Sequence, residues 1–381
     1  MKVLTVLSAT IQYQESGDWR EVSNMKKQNS RICFLAPILV VLVISMILFP
    51  HKDGLSKPVT LPTGEVFADE ALVEAANKEG KLVHYTAQGA THVTKHVKNF
   101  NRRFPSIKVE IVRLVTGRLH ERVLTENAAG KLMADTITYT DFTVMDDLYD
   151  RGMLAKHLPP SDSKYDDAVK RRGYWYPVIR GTMGVVYNTD LVKEPLKSWK
   201  DILRPEWKGM VGTNYPGAGG AAYTQAYFVR KKFGVDYWKR LAALKPNIET
   251  GFSAQINRVI SGELMAALMV DTVGFPKERS GAPVKLVFPA EGVPSAPYAI
   301  ALVKGCRHPN AAKLFYQWVL SSEGQASITE IRGAYSARPD VPEPRGKIPM
   351  NQVNFFPLDR DDFKRVRADW IKEWVEIFDY R

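Results

Sequence analysis

The sequence predicts an α/β protein built from two lobes, and three observations support this prediction. Strand-like and helix-like segments alternate in two successive stretches of the chain, the order that builds parallel sheets covered by helices. The 381 residues are enough for about two domains of ordinary size. The composition, 45% hydrophobic and 25% charged, is typical of globular proteins and excludes a disordered or low-complexity chain.

The first set of alternating elements precedes residue 140. The segment Ile107–Val112 alternates apolar and polar side chains, as a half-buried strand does, and Pro105 ends the helical pattern before it. We expect helices over 67–76, 94–104 and 119–129, and strands over 82–85, 107–112 and 135–139.

A second set follows and indicates the second lobe. We expect strands over 184–187, 210–213 and 264–269, and helices over 221–233 and 253–261. Two further helices, over 309–320 and 361–377, are expected in the C-terminal part of the chain.

The N-terminal region predicts export from the cytoplasm. Residues 32–49 are 18 consecutive uncharged residues, preceded by Lys26, Lys27 and Arg31, as in a secretory signal or a membrane anchor. We therefore expect residues 1–50 to be a signal peptide or an N-terminal membrane anchor, and 51–68 to be a linker. Whether the segment is cleaved, and whether the chain starts at Met1 or Met25, stays open.

Charge and cysteine content exclude several classes of protein. Only two cysteines occur, so a disulfide framework and a cysteine-based zinc site are excluded. The net charge is +12, but the basic clusters 170–172 and 230–232 are short and are interpreted as solvated surface. No nucleic-acid-binding motif is present, so we expect no nucleic-acid partner.

Four motifs together indicate a family. They are Tyr139–Asp141 followed by 154–159, Arg180–Thr189, Trp199–Gly209, and Ser322–Gln325 after a helix that begins at Pro309. In this order and spacing, from about residue 68 onward, the chain resembles the ferric-iron-binding-type branch of the type 2 periplasmic solute-binding proteins of ABC transporters.

The resemblance implies a fold and a role. The fold is the type 2 periplasmic-binding fold, with two lobes, a hinge and an interlobe ligand cleft. We assign 69–182 and 298–340 to lobe 1, and 183–297 and 341–381 to lobe 2. The implied role is that of a monomeric periplasmic receptor without a cofactor, which delivers a small solute to an inner-membrane permease. The chain has no P-loop, so the ATPase is expected to be a separate subunit.

The resemblance also bears on metal binding. Ferric-binding members carry a Tyr-Tyr pair after the strand that corresponds to 266–269, whereas this chain has Asp271-Thr272-Val273 at that place. Two phenolates and a carboxylate suit a hard trivalent cation, so the missing tyrosines argue against direct ferric binding, which is kept as the alternative. His92 and His96 lie four residues apart on a predicted helix and suit either a metal or an ordinary helix surface.

An anion site is better supported. The segment Tyr215–Ala221 follows a predicted strand and opens a predicted helix, so the amides of Ala218, Gly219 and Gly220 are expected to bind an anion, unless the segment is only a loose turn. Arg118 and Arg180 are expected to bind a carboxylate or phosphate oxygen, or else to form surface or hinge ion pairs.

Neutral and acidic side chains complete the predicted site. Asp141 and Asp271 offer an alternative pocket for a cationic or amine-bearing ligand. The remaining predicted ligand-binding residues are Thr86, Gln88, Thr140, Thr182 and Thr272, at expected strand ends. We predict a phosphonate, a phosphate ester or a carboxylate as the ligand. No Gly-x-Ser-x-Gly or His-Glu-x-x-His motif is present, and the chain is not expected to be an enzyme.

Overall fold

The structure is a computed structural model, and it describes residues 56–380. The predicted export segment, residues 32–49, lies outside this part of the chain. Between residues 56 and 380, no helix is long and apolar enough to cross a membrane.

The strands carry the framework of the molecule. The first two strands of the described chain, β1 and β2, form a separate antiparallel pair. The strands are β1 (Pro58–Thr60), β2 (Val66–Asp69), β3 (Lys81–Thr86), β4 (Lys108–Arg113), β5 (Thr136–Tyr139), β6 (Trp175–Asn188), β7 (Val211–Asn214), β8 (Asn247–Glu249), β9 (Ala266–Val270), β10 (Val284–Val287) and β11 (Ser295–Leu302).

Helices connect and cover these strands. The helices are α1 (Glu70–Glu79), α2 (Ala90–Arg103), α3 (Thr116–Ala128), α4 (Phe142–Asp150), α5 (Gly220–Phe233), α6 (Val235–Ala243), α7 (Phe252–Ile260), α8 (Asp271–Arg279), α9 (Pro309–Leu320), α10 (Ser322–Arg332), α11 (Arg360–Arg365) and α12 (Arg367–Phe378).

Nine strands form one sheet in the order β4-β3-β5-β11-β6-β9-β7-β8, with β10 paired to β6. Strand β6 is 14 residues long and belongs to both halves of this sheet. Its first part pairs with β11, from Trp175 to Thr182, and its last part pairs with β9 and β10, from Met183 to Asn188. β6 therefore passes from one half of the sheet to the other.

Alternation along the strands places apolar residues on both faces of the sheet. Leu82 and Val83 are neighbours on β3, yet each belongs to a different buried cluster, because successive side chains of a strand point to opposite faces. The C-terminal helices contact both halves, since Phe363 of α11 packs in the cluster of Phe142 and Trp374 of α12 in that of Trp199. The lobe boundaries stay a prediction.

Several elements differ from those predicted. Residues 67–69 belong to β2 rather than to a helix, and Asp69 instead caps α1 by accepting a hydrogen bond from the Leu72 amide at 2.8 Å. The predicted final helix is two helices, α11 and α12. The sequence analysis did not predict strand β11, in which Pro297 interrupts the apolar pattern, or helices α4, α6, α8 and α10.

A substitution at Gly184 tests how tightly β6 packs against its neighbour β10. A Cβ atom at this position would lie 2.2 Å from the carbonyl oxygen of Val287 on β10. We expect Gly184→Ala to push β10 away and to lower the free energy of unfolding by about 1–3 kcal/mol, measured by urea denaturation. Gly117→Ala is the control, because nothing lies within 4 Å of its Cβ. Equal losses in both variants would contradict this account.

Candidate functional site

Five of the predicted ligand-binding residues meet beside the ends of β3 and β9, although Thr182, expected at a strand end, lies in the middle of β6. Together with three residues that the sequence analysis did not assign, they form one connected network, which we call the strand-end cluster. Its members are Thr86, Gln88, Thr182, Asp271, Thr272, Tyr298, Arg332 and Lys347. The network joins residues from both halves of the sheet, and all eight side chains are buried.

Arg332 is the positive charge of this cluster. It is the last residue of α10 and is only 5% exposed. One terminal nitrogen donates a hydrogen bond to the Gln88 side-chain oxygen at 3.2 Å, and the guanidinium carbon lies 5.2 Å from the ring centroid of Tyr298. Its Nε atom has no hydrogen-bond partner, and no carboxylate of residues 56–380 forms an ion pair with it.

The electrostatic consequence is a cation with no ion-pair partner among residues 56–380, which the Asp271 carboxylate influences only from beyond ion-pair distance. Burial lowers the pKa of Arg332, because desolvation penalises its charged form. A buried charge is normally paired, because moving it from water into the protein costs roughly several kcal/mol unless a partner compensates. Arg332 is therefore placed to bind an anion that enters the cluster.

Asp271 differs from Arg332 because it already has a partner. Its Oδ2 atom lies 2.6 Å from the Lys347 Nζ, and its Oδ1 atom accepts a hydrogen bond from the Thr182 amide at 3.2 Å. Lys347 also donates to the Gly333 carbonyl at 2.7 Å. Burial raises the pKa of Asp271 and lowers that of Lys347, and their proximity opposes both shifts. The Asp271 carboxylate is thus neutralised from within the chain.

A second group of predicted residues lies beside the end of β5. The Asp141 side chain caps α4 by accepting from the Thr143 amide at 3.0 Å, and its Oδ2 atom lies 2.7 Å from Arg367 of α12. The Thr140 hydroxyl lies 3.0 Å from that of Thr116. Asp141 therefore also has an internal cationic partner.

The glycine-rich segment lies directly against this group. A Cβ atom on Gly220 would lie 2.6 Å from the Thr140 carbonyl oxygen, so only glycine allows this approach. The Ala218 amide donates to the Tyr215 carbonyl at 3.0 Å and is used within the turn. Gly219 precedes α5, and no side chain caps this 14-residue helix, which leaves first-turn amides for an anion.

The two predicted arginines lie elsewhere. Arg118 is exposed in the first turn of α3, and the described part of the chain offers its guanidinium no hydrogen bond or ion pair. The Arg180 Nε atom donates to the Ser295 hydroxyl at 2.9 Å, and its guanidinium lies 3.7 Å from the ring centroid of Phe355. Neither guanidinium joins the strand-end cluster.

Of the two histidines considered for a metal, His96 is buried and His92 is half-buried. The His96 Nε2 atom lies 3.0 Å from the Gly324 carbonyl, and its ring packs on Trp318 with 4.9 Å between centroids. His92 has a buried Nδ1 atom without a partner. Within residues 56–380, no group of three or more His, Cys, Asp or Glu is arranged to hold a metal ion. A solvent-facing surface for His96 is therefore wrong.

Burial of His96 predicts a pH dependence of stability. Desolvation lowers its pKa from 6.5 to about 4, so the unfolded chain binds a proton that the folded chain does not bind between these values. Stability from this group is present above pH 6.5 and is lost as the pH falls toward 4. Urea denaturation at pH 7 and pH 5 should show lower stability at pH 5, and His96→Gln should reduce the difference. An unchanged difference would contradict this role.

Sequence reasoning did not find Arg332, Lys347 or Tyr298. No local motif marks Arg332, which follows the Ser322–Gln325 motif only because α10 continues for two more turns. A basic side chain at the end of an amphipathic helix is more often solvent-exposed, as at a favourable helix C-terminus. Only the three-dimensional contact with Gln88 distinguishes it.

Comparison with known proteins identifies relatives of the chain. The family model described as bacterial extracellular solute-binding protein matches residues 86–326. A protein of Haemophilus influenzae is 27% identical over 282 residues, which are 70% of this chain and 80% of the relative. A putative 2-aminoethylphosphonate-binding periplasmic protein of Salmonella typhimurium is 29% identical over 202 residues, which are 50% of this chain and 58% of the relative.

Solved structures share the fold. The periplasmic binding protein AfuA of Actinobacillus pleuropneumoniae, with fructose-6-phosphate bound, superposes with a TM-score of 0.70 at 20% identity, covering 79% of this chain and 99% of AfuA. Iron-bound HitA of Pseudomonas aeruginosa gives a TM-score of 0.66 at 23% identity, covering 77% and 99%. These similarities confirm the predicted two-lobed type 2 fold.

Proposed function

Because the chain belongs to the bacterial extracellular solute-binding protein family, we propose that it captures a small anionic solute between its lobes. The solute class is a phosphonate, a phosphate ester or a carboxylate. The observation that carries this proposal is Arg332, a buried guanidinium without an acidic partner among residues 56–380, at the ends of strands from both sheet halves. An oxyanion would supply the missing partner.

The neighbours of Arg332 support an oxyanion rather than a cation. Its nearest neighbours are neutral, since the Gln88 side-chain oxygen accepts its hydrogen bond and the ring of Tyr298 lies 5.2 Å from its guanidinium carbon. Relatives point the same way, since one is named for binding 2-aminoethylphosphonate and another was solved with fructose-6-phosphate.

The ferric alternative is less favoured for a specific reason. A trivalent cation needs anionic oxygen ligands, but Asp271 is paired with Lys347 and Asp141 with Arg367. A metal ion would have to displace both internal cations. The same pairing argues against a pocket built on Asp141 and Asp271 for a cationic solute that lacks an anionic group.

The transport role completes the proposal. The family works with ABC permeases and ATPases, so we propose delivery of the solute to an inner-membrane permease with a separate ATPase subunit. The receptor would act as a monomer in the periplasm, would not bind nucleic acid, and would release its solute unchanged. Residues 1–50 would direct export and either be cleaved or remain as an anchor.

A ligand panel tests the proposal. Isothermal titration calorimetry of the full chain would use 2-aminoethylphosphonate, fructose-6-phosphate, inorganic phosphate, dicarboxylates and ferric citrate. We expect saturable binding of at least one organic anion, and recovery of that anion intact after incubation. Mass spectrometry of ligand retained through native purification would identify cargo outside the panel. Retained iron without an organic anion, or conversion of the bound ester, would overturn the proposal.

A further inference from the structure

A cavity of about 470 Å³ lies beside the strands β6 and β11 and shares no residue with the strand-end cluster. This volume is within the range of small-molecule sites, roughly 300–1,000 Å³. Apolar side chains supply much of its lining, including Pro177, Pro297, Pro339, Met350, Phe355 and Leu358. The cavity is therefore shaped for a ligand with a hydrocarbon body.

Arg180 is part of this lining, and most of its hydrogen-bond donors have no partner among the described residues. Arg180 donates only one side-chain hydrogen bond within the described chain, from Nε to Ser295 at 2.9 Å. Phe355 covers its guanidinium at 3.7 Å, and no carboxylate of residues 56–380 forms an ion pair with it. The two terminal nitrogens of Arg180 thus match the two oxygens of one carboxylate.

The other charged residues of the lining, Asp166 and Arg360, do not alter its preference for an anion. Arg360 also lines the cavity, but its guanidinium is paired at 3.0 Å with Asp146, a carboxylate that Arg171 and Lys364 share. Asp166 is exposed, and its Oδ1 atom accepts a hydrogen bond from the Ala168 amide at 2.9 Å. Water screens the charge of an exposed carboxylate, whereas Arg180 is partly withdrawn from solvent, so the inner part of the cavity favours an anion.

We propose that this cavity is a second binding site, specific for a small organic acid. The carboxylate pairs with Arg180, and the apolar body lies against the proline and phenylalanine side chains. A monoanion fits better than a phosphate dianion, because the lining offers one unpaired cation and few other donors. The site is distinct from the strand-end cluster and does not require the proposed cargo to be correct.

The probes are benzoate and hexanoate, with benzamide and hexanamide as neutral counterparts, titrated calorimetrically against the full chain. We expect both acids to bind and both amides to bind at least 10-fold more weakly. Arg180→Met should weaken acid binding about 10-fold to 150-fold, the loss of a charge-assisted hydrogen bond. Val169→Trp, which fills the cavity from its partly exposed rim, should weaken binding of all four probes.

Arg118→Met, at an exposed arginine outside the cavity lining, is the matched control and should leave benzoate binding unchanged, whereas Arg332→Met shows whether the acid binds at the strand-end cluster. No acid binding, equal binding of acids and amides, or full binding by Arg180→Met would each overturn the second site. Loss of benzoate binding in Arg332→Met would assign the acid to the strand-end cluster and would also overturn it. Benzoate binding in a protein for which no cargo can be found would leave this site standing while the proposed function fails.

Discussion

Replacing Arg332 by Met should weaken binding of the anionic solute by about 100-fold or more, measured by titration calorimetry with the solute that the panel identifies. Charge-assisted hydrogen bonds contribute about 1.5–3 kcal/mol each, and truncating one side of a buried charge pair removes about 2–5 kcal/mol. Methionine keeps an unbranched apolar stem while removing every donor. The solute would then enter a buried site without its counter-charge.

The same substitution should not reduce stability, which separates binding from folding. In the ligand-free protein the Arg332 guanidinium is buried with one hydrogen bond and no ion pair among the described residues, so its removal relieves desolvation. We expect an unchanged or raised thermal midpoint for Arg332→Met without solute. Added solute should raise the midpoint of the parent protein but not that of the variant.

Arg118→Met is the control, because the sequence analysis predicts that Arg118 binds the anion, whereas the structure places it outside the strand-end cluster. Arg118 is exposed, and an exposed charge is worth about 0–1 kcal/mol. We expect its affinity to stay within about threefold of the parent. If Arg118→Met loses binding while Arg332→Met retains it, the anion binds at the N-terminus of α3. The strand-end cluster is then not the binding site.

The regular parts of the fold were predictable because their patterns are local. Strand 107–112 alternates apolar and polar residues, and Pro105 limits the preceding helix, so both elements were predicted within a few residues of β4 and α2. Strand β11 was not predictable in this way, because Pro297 lies in it and its partners on β5 and β6 are distant in sequence. Its stability comes from pairing that no local window contains.

The residues of the candidate site likewise fall into those that a local pattern predicts and those that it does not. Asp271 and Thr272 could be predicted as strand-end residues, since β9 is a short apolar run that ends just before them. The pairing of the Asp271 carboxylate could not be predicted, because its partner Lys347 is 76 residues away in an irregular segment. Arg118 and Arg180 were attractive as arginines near glycine or a strand, but residue type does not reveal whether a charge is exposed, stacked or unpaired.

The buried pair of Asp271 and Lys347 predicts a large stability effect. Lys347→Met should lower the free energy of unfolding by about 3–5 kcal/mol at pH 7, because it leaves a fully buried carboxylate without its cation. Urea denaturation provides the measurement. Lys78→Met is the matched control, since both side chains of the Lys78–Glu74 pair are largely exposed and its loss should change stability by about 0–1 kcal/mol.

A double-mutant cycle shows whether the loss comes from the unpaired charge. In Asp271→Asn with Lys347→Met no charge remains, and the asparagine oxygen can still accept the Thr182 amide. Replacing a buried ion pair by neutral groups is often close to neutral, so the double variant should be more stable than Lys347→Met alone. Additive losses would mean that Lys347 stabilises the fold through its contacts with Tyr335 and the Gly333 carbonyl instead. The internal neutralisation of Asp271, and with it the argument against a cationic solute, would then fail.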